Sequence, residues 1–487
     1  MEAQAQPQRL ERRVVGLPTA ISTVFGLIVA TTVLVSVGQG FAASWIFLVA
    51  LAIGLLVMYM QALTFSELAT MIPKAGSMNE YVRAGLGAFA GSLTALMGYV
   101  AIVVFPTAAE SLFPALIITN YLNIAGDPKL WVVIIVSGVA ILNIFGIRPF
   151  AAVEIALTAI VALSVLAFGV IGLLSLGSGD PIGPALPSIH FQMATLSGLL
   201  GLAVFTFVGL EYACPLAEEL DDPSRDLPKG MFLGLALIAV PLVLYGLAAT
   251  RYLPAAKLGD PTQLTHMNVA IAILGNFGKW WMGIISIAAT VSTLNALLAG
   301  VPRLLYGMSF TQQAPRQFGY LLPATRAPVV GIVAMALIPI GMNVFDAASS
   351  STFIELVLAG VLGWATAYIL IHISLAILRV KEPNAVRPFR SPLFPLPQLL
   401  GTGLLIWAAV KIFPVPDVRD HIYRDYFIFL GVSIVVAFVY NAVAMKSVGV
   451  QFRRIPLAEV NAEVEVIERV DRSLLDEDPR ADTLAKP

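Results

Sequence analysis

Three residues that could do chemistry in a membrane stand close together in one apolar run. Positions 193–217 are hydrophobic enough to span a bilayer, yet Thr206, Gly209 and Glu211 fall where the midplane should lie. A carboxylate at that depth costs ~2.5–3.5 kcal/mol or more on insertion scales, so Glu211 is expected to be buried in protein and to have a function. Gly209 has no Cβ and lets the backbone leave helical geometry, which in lipid is tolerated only where it lines a cavity. The run then passes Pro215 and ends in a polar loop holding Glu218, Glu219, Asp221, Asp222, Arg225, Asp226 and Lys229. A helix cut at mid-membrane offers carbonyls at one cut end and N–H groups at the other, the means by which secondary transporters form a substrate site. The stretch 205–229 reads as half of such a site, with Phe205 as an aromatic cover over it.

Other polar residues stand in apolar surroundings. Glu110 lies between Pro106 and Pro114, which should kink its helix. It either pairs with a neighbour in an outer vestibule or binds a substrate cation. Glu154 opens its apolar run as a gate or salt-bridge residue. Ser292 and Thr293 either pack against a neighbouring helix or touch a sodium ion. Thr31 and Thr32 either bond back to their own helix or meet the substrate. His190 is expected at an interface. The single cysteine, Cys214, excludes an intrachain disulfide or a cysteine-based metal cluster. Neither a clustered His/Asp/Glu set nor a nucleophile with a base is evident, so no enzyme, metal or cofactor is expected.

The elements that must position these residues follow from composition. The 487 residues are 58% hydrophobic and 12% charged, with a mean hydropathy of +0.86. Soluble domains run near 25% charged, so the chain is polytopic in a lipid bilayer and carries no large soluble domain. A net charge of −1 argues against nucleic acid as a partner. Apolar runs of about 20 residues number twelve: 15–39, 45–70, 88–120, 131–147, 151–176, 193–217, 230–250, 280–306, 328–344, 352–378, 397–413 and 425–445. Arginine and lysine crowd the loops on the side of the termini, which predicts both termini in the cytoplasm. The first run reads as a retained helix, not a cleaved signal. The segment 255–278 is too short to span and reads as a lid, its helix starting at Asp260-Pro261-Thr262. Glu67, Glu80 and Arg83 can pair at the cytoplasmic face, and Glu355 falls at the outer boundary. The tail 456–487 is expected to be a short helix or disordered.

Several motifs resemble one family. Phe205-x-Phe207-x-Gly209-x-Glu211 with Ala217-Glu218-Glu219, Pro223, Arg225 and Pro228 is similar to the sixth helix and following loop of the amino acid–polyamine–organocation (APC) superfamily. Glu67-Leu68-Ala69, Pro73, Ala75-Gly76 and Tyr81 resemble its second-helix signature. Arg303-Leu304-Leu305-Tyr306-x-Met308 and Arg387-Pro388-Phe389-Arg390-x-Pro392-Leu393-x-Pro395 resemble later ones. The likeness runs over about 14–445.

The resemblance implies an all-α polytopic membrane protein of twelve transmembrane helices. It has a five-plus-five inverted repeat, helices 1 and 6 being discontinuous. It divides the chain into a cytoplasmic tail 1–13, a ten-helix core 14–378, helices 11 and 12 at 379–446 and a cytoplasmic tail 447–487. It implies a permease of the plasma membrane moving an amino acid or related amine by alternating access. Coupling through Glu211 to protons, obligate exchange, and sodium coupling at Ser292 and Thr293 all stay open. So does an amine lacking a carboxylate, of the ethanolamine or polyamine type. The substrate-binding positions it implies are Ile28, Ala30, Thr31, Thr32, Phe205, Thr206, Val208 and Gly209, with Glu211, Glu110, Glu154, Ser292 and Thr293 for coupling and gating. Relatives carry a small Gly-Ser-Gly-like patch where Ala30, Thr31 and Thr32 stand here. A transporter built of two six-helix halves fits less well, because the loop after 217 is short. A channel would need a repeated filter-like loop, and none is seen.

Overall fold

The computed structural model describes residues 9–260, 263–347, 352–413 and 416–461. They are helical, and the single β contact among them is a bridge between Val15 and Leu220. Among the described residues eight helical stretches are long and apolar enough to cross a membrane, and four shorter apolar helices accompany them.

The first apolar run is cut in two. α1 (Leu17–Ile28) opens on a proline, whose missing N–H costs nothing at a helix start. It stops at Val29 (φ −84°, ψ 63°), and Ala30 is extended (φ −82°, ψ 155°) before α2 (Thr31–Gly40) begins. α3 (Ser44–Met71) and α4 (Ser77–Leu86) follow, joined by the Pro73–Gly76 turn. The third run is segmented into α5 (Ala88–Ala95), α6 (Ala101–Val104) and α7 (Pro106–Leu116). The expected kink falls at Phe105 (φ −93°, ψ −80°), just before Pro106. α8 (Pro128–Ile144) and α9 (Ile147–Leu173) lead to α10 (Met193–Phe205), which ends where the composition placed the break.

Beyond α10 the chain unwinds through Gly209, at φ 136° where a side chain would be strained, and resumes as a 3₁₀ turn over Leu210–Leu216. Then come α11 (Pro223–Tyr252), α12 (Ala255–Leu258) and α13 (Thr265–Phe310). α13 bends at Gly275 (φ 58°), so the lid segment and the eighth run are one helical stretch with a corner. The lid's expected start at Pro261-Thr262 lies outside the described residues. α14 (Val329–Val344), α15 (Phe353–Lys381), α16 (Leu396–Val410), α17 (Pro416–Met445) and α18 (Val448–Gln451) follow; of the tail 456–487, the residues after 461 lie outside the described ones.

α1 packs on α9, α11 and α13, while α3 packs on α10, α11 and α16. α15 crosses from α4 to α17, so the interrupted helices sit inside the bundle. Leu163, Phe277, Ile284, Leu337, Leu399 and Val435 are exposed on its outside, as lipid-facing positions require.

One end of the bundle is bound up by polar contacts. Val14 and Val15 N–H groups donate to the Glu219 carbonyl, and Lys74 donates to the carbonyl of Val460. Both described chain ends therefore lie on this face. The buried Arg303 guanidinium forks onto Glu219, its Nη2 at 3.0 Å from Oε1, and its Nη1 donates to the Ala299 carbonyl at 2.8 Å. Glu80 pairs with Arg83 at 2.7 Å. Glu67 does not join them: it faces the end of α15, taking Arg379 at 2.6 Å, Arg387 at 3.0 Å and the Ser391 N–H at 2.8 Å. Glu355 meets His421 at 3.2 Å, and His190 is exposed.

Candidate functional site

The two unwound segments meet. A Cβ on Gly209 would stand 2.9 Å from the Leu27 side chain and 3.3 Å from that of Ile28, so the break after α10 rests on the end of α1. Ile28, Ala30, Thr31, Thr32, Phe205, Thr206, Val208 and Glu211 are all buried around this contact. The Thr206 hydroxyl is turned back onto the Leu202 carbonyl at 2.9 Å.

Glu110 reaches the start of α2. Ala30, at its N-cap, has no side-chain acceptor, and the carboxylate of Glu110 supplies one from α7. It accepts the N–H of Thr31 at 2.9 Å, the N–H of Thr32 at 2.8 Å and the hydroxyl of Thr290 at 2.5 Å. The Thr31 hydroxyl donates to the Ser286 carbonyl at 2.7 Å. It therefore bonds across to α13, not back to its own helix.

Glu154 lies under the other cut end. It accepts the Ser292 hydroxyl at 2.6 Å and the Asn295 amide at 2.7 Å, and Asn295 in turn accepts from Asn143 at 2.8 Å. The expected salt-bridge role finds no basic partner among the described residues. Instead the carboxylate presses on α1, where a Cβ on Gly26 would fall 1.7 Å from Oε1. Thr293 donates to the Gly26 carbonyl at 2.9 Å, so α13 holds the last turn of α1 through a backbone oxygen left free by the break.

Glu211 is held by aromatic residues. Its Oε2 accepts the Tyr368 hydroxyl at 2.7 Å and its carbonyl accepts the Tyr99 hydroxyl at 2.9 Å, while Oε1 is buried without a donor. Trp364 lies beside the same carboxylate, its ring centroid 6.4 Å from that of Phe205. No motif in the sequence alone singles out Trp364 and Tyr368. Their i, i+4 spacing puts both on one face of α15, a signal the chain did contain. Tyr99, Thr290 and Asn295 likewise join the site only through the fold.

A family model for amino acid permeases matches residues 16–451, nearly the whole of the described bundle. The chain belongs to the amino acid permease family. That family is one of membrane transporters that move small molecules, not of enzymes. The permease is similar to the serine/threonine exchanger SteT of Bacillus subtilis, 24% identical over 80% of this chain and 89% of that protein. It also resembles the methylthioribose transporter of the same organism, 26% identical over 52% of each chain, so it spans about half of that relative's length. Among solved structures it matches MHP1, a nucleobase-cation-symport-1 family transporter in a closed conformation with bromovinylhydantoin bound. The TM-score is 0.56 at 16% identity, covering 93% of this chain and 98% of that one, a likeness of fold alone.

In this permease Phe205 is buried at 5% exposure beside Trp364. An aromatic face there attracts an ammonium by about 0.5–2 kcal/mol. Phe205→Ala is therefore expected to weaken substrate binding by about that amount while leaving the folded yield unchanged. Wild-type affinity in a thermal-shift titration of the variant would remove Phe205 from the site.

Proposed function

We propose that this permease carries a small amine-bearing solute, an amino acid or a related amine, across the plasma membrane by alternating access. Twelve spans in a five-plus-five inverted repeat, with both termini cytoplasmic, complete the reading. The observation that carries it is the meeting of two unwound helix centres at Gly209 and Ile28, with Glu110, Glu154 and Glu211 buried around them. Backbone at mid-membrane leaves helical geometry only where protein or a cavity receives it. Buried carboxylates attract an ammonium, and one of them can also carry a proton.

Coupling to protons through Glu211 is the favoured mode. Its Oε1 has no donor, so the group has room for one proton without displacing an existing bond. Uptake into proteoliposomes should rise as the external pH falls, because the proton is then a co-substrate present at higher concentration. Glu211→Gln cannot exchange a proton and should give a flat profile at reduced rate. Identical pH profiles in the two proteins would make Glu211 structural. A second reading is sodium coupling, supported by the oxygens of Gly26, Ser292, Thr293 and Glu154, which gather beside α1. Replacing sodium by choline at fixed pH separates the two modes.

A further inference from the structure

A half-helix that begins at mid-membrane aims its N–H groups at an anion, commonly the carboxylate of a substrate. In α2 that position is already filled by the protein itself. The N–H groups of Val33 and Leu34 donate to the Ala30 carbonyl, at 3.0 and 3.2 Å. Those of Thr31 and Thr32 both donate to Glu110. None of the first four N–H groups is left for a ligand. The arrangement is built from three directions: α7 brings the carboxylate, α2 its two backbone donors and α13 the Thr290 hydroxyl. A substrate carboxylate would have to displace these bonds and then share the pocket with the displaced charge.

A second observation concerns charge. Glu110, Glu154 and Glu211 are fully or almost fully buried, and among the described residues no ion pair reaches any of them. The two arginines buried among the described residues are engaged elsewhere, Arg303 with Glu219 and Arg83 with Glu80. Glu211 Oε1 accepts no hydrogen bond, and Trp364 lies beside the same carboxylate. What these three carboxylates lack is a cationic partner, and an amine supplies one without bringing a further carboxylate to bury.

We propose that the solute is a primary organic amine, positively charged and without an α-carboxylate. Glu110 stands in the place a substrate carboxylate would take. The ammonium lies between the rings of Phe205 and Trp364, which leaves Glu211 Oε1 to the proton. The proposal rests on the two broken helices being the transport site.

The test uses full-length protein and three matched pairs that differ only by the carboxylate: serine with ethanolamine, lysine with cadaverine, leucine with isoamylamine. Thermal-shift titration and proteoliposome uptake are read for both members of each pair. In the wild type at least one amine should bind about tenfold or more tighter than its parent amino acid. Glu110→Ala frees the N–H groups of Thr31 and Thr32 and should move that ratio toward the amino acid by about tenfold or more. Thr290→Val, which removes one hydroxyl donor and keeps the carboxylate, should move it the same way by less, and it serves if Glu110→Ala does not fold. An amino acid bound and carried better than its amine in the wild type would overturn this proposal and leave the transport reading standing. No member of any pair bound or carried would overturn both. A wild-type preference for the amine that neither variant shifts would overturn the part given to Glu110.

Discussion

Arg303→Met is expected to lose about 3–5 kcal/mol of stability, because it leaves the Glu219 carboxylate buried without its partner. Both side chains are 2% exposed, and Glu219 also offers its carbonyl to Val14 and Val15. The pair thus ties α13 to the loop after the 3₁₀ turn and to the N-terminal segment at once. Denaturant unfolding in detergent micelles measures the loss. The variant should also open the face that carries the chain ends. Cys214 provides the reading, since it is the single cysteine, is fully buried, and lies in the 3₁₀ turn beside Ser77 and Tyr81. Its maleimide labelling should speed up about tenfold for each 1.4 kcal/mol by which opening becomes easier. Replacing both partners, Arg303→Met with Glu219→Leu, removes the orphaned charge and should recover much of the lost stability. Unchanged unfolding and labelling in the single variant would mean that the pair does not close this face.

How much of this was legible in the sequence differs between the two breaks. The one after α10 announces itself, because Gly209 and Glu211 are the wrong residues for a continuous lipid-facing helix. The break at Val29 and Ala30 has no such mark. No glycine stands there, and the acceptor that satisfies the start of α2 comes from Glu110, 79 positions along the chain. Only the resemblance placed it. Proximity in sequence groups Glu67 with Glu80 and Arg83, but its partners are 312 and 320 positions away. Composition and hydrophobic run length state which segments cross the membrane. They do not state which carboxylate meets which helix end, since that depends on how α7, α9 and α13 stack against α1 and α2. Trp364 and Tyr368 fall between these cases. Their spacing was visible, but an aromatic pair in an apolar span looks like core until Glu211 is found opposite it.

Gly26→Ala is expected to abolish transport in a protein that still folds. The added Cβ would fall 1.7 Å from Glu154 Oε1 and 2.4 Å from Ser292 Oγ, well inside contact distance. The neighbouring backbone need not give, because the obstructing atoms end side chains, so Glu154 swings away. That movement breaks its bonds to Ser292 and Asn295 and leaves a buried carboxylate unsatisfied, a cost of about 1–3 kcal/mol or more for a charged group. It also separates α9 and α13 from the last turn of α1, the joint at which the two halves of the first run must move. A loss of melting temperature with uptake at background is the expected result. Adding Glu154→Ala to Gly26→Ala removes the clash with Glu154 and the orphaned charge together, and frees the Ser292 hydroxyl from its bond to Glu154 so that it can turn aside. The double variant should melt above the Gly26→Ala protein, and the difference from additivity measures the Gly26–Glu154 coupling. If Glu154 only fills space, the double variant regains transport as well. If its carboxylate takes part in the cycle, stability returns and uptake does not. Wild-type uptake in Gly26→Ala itself would show that Glu154 can leave α1 without consequence, and its place beside the break would then be packing alone.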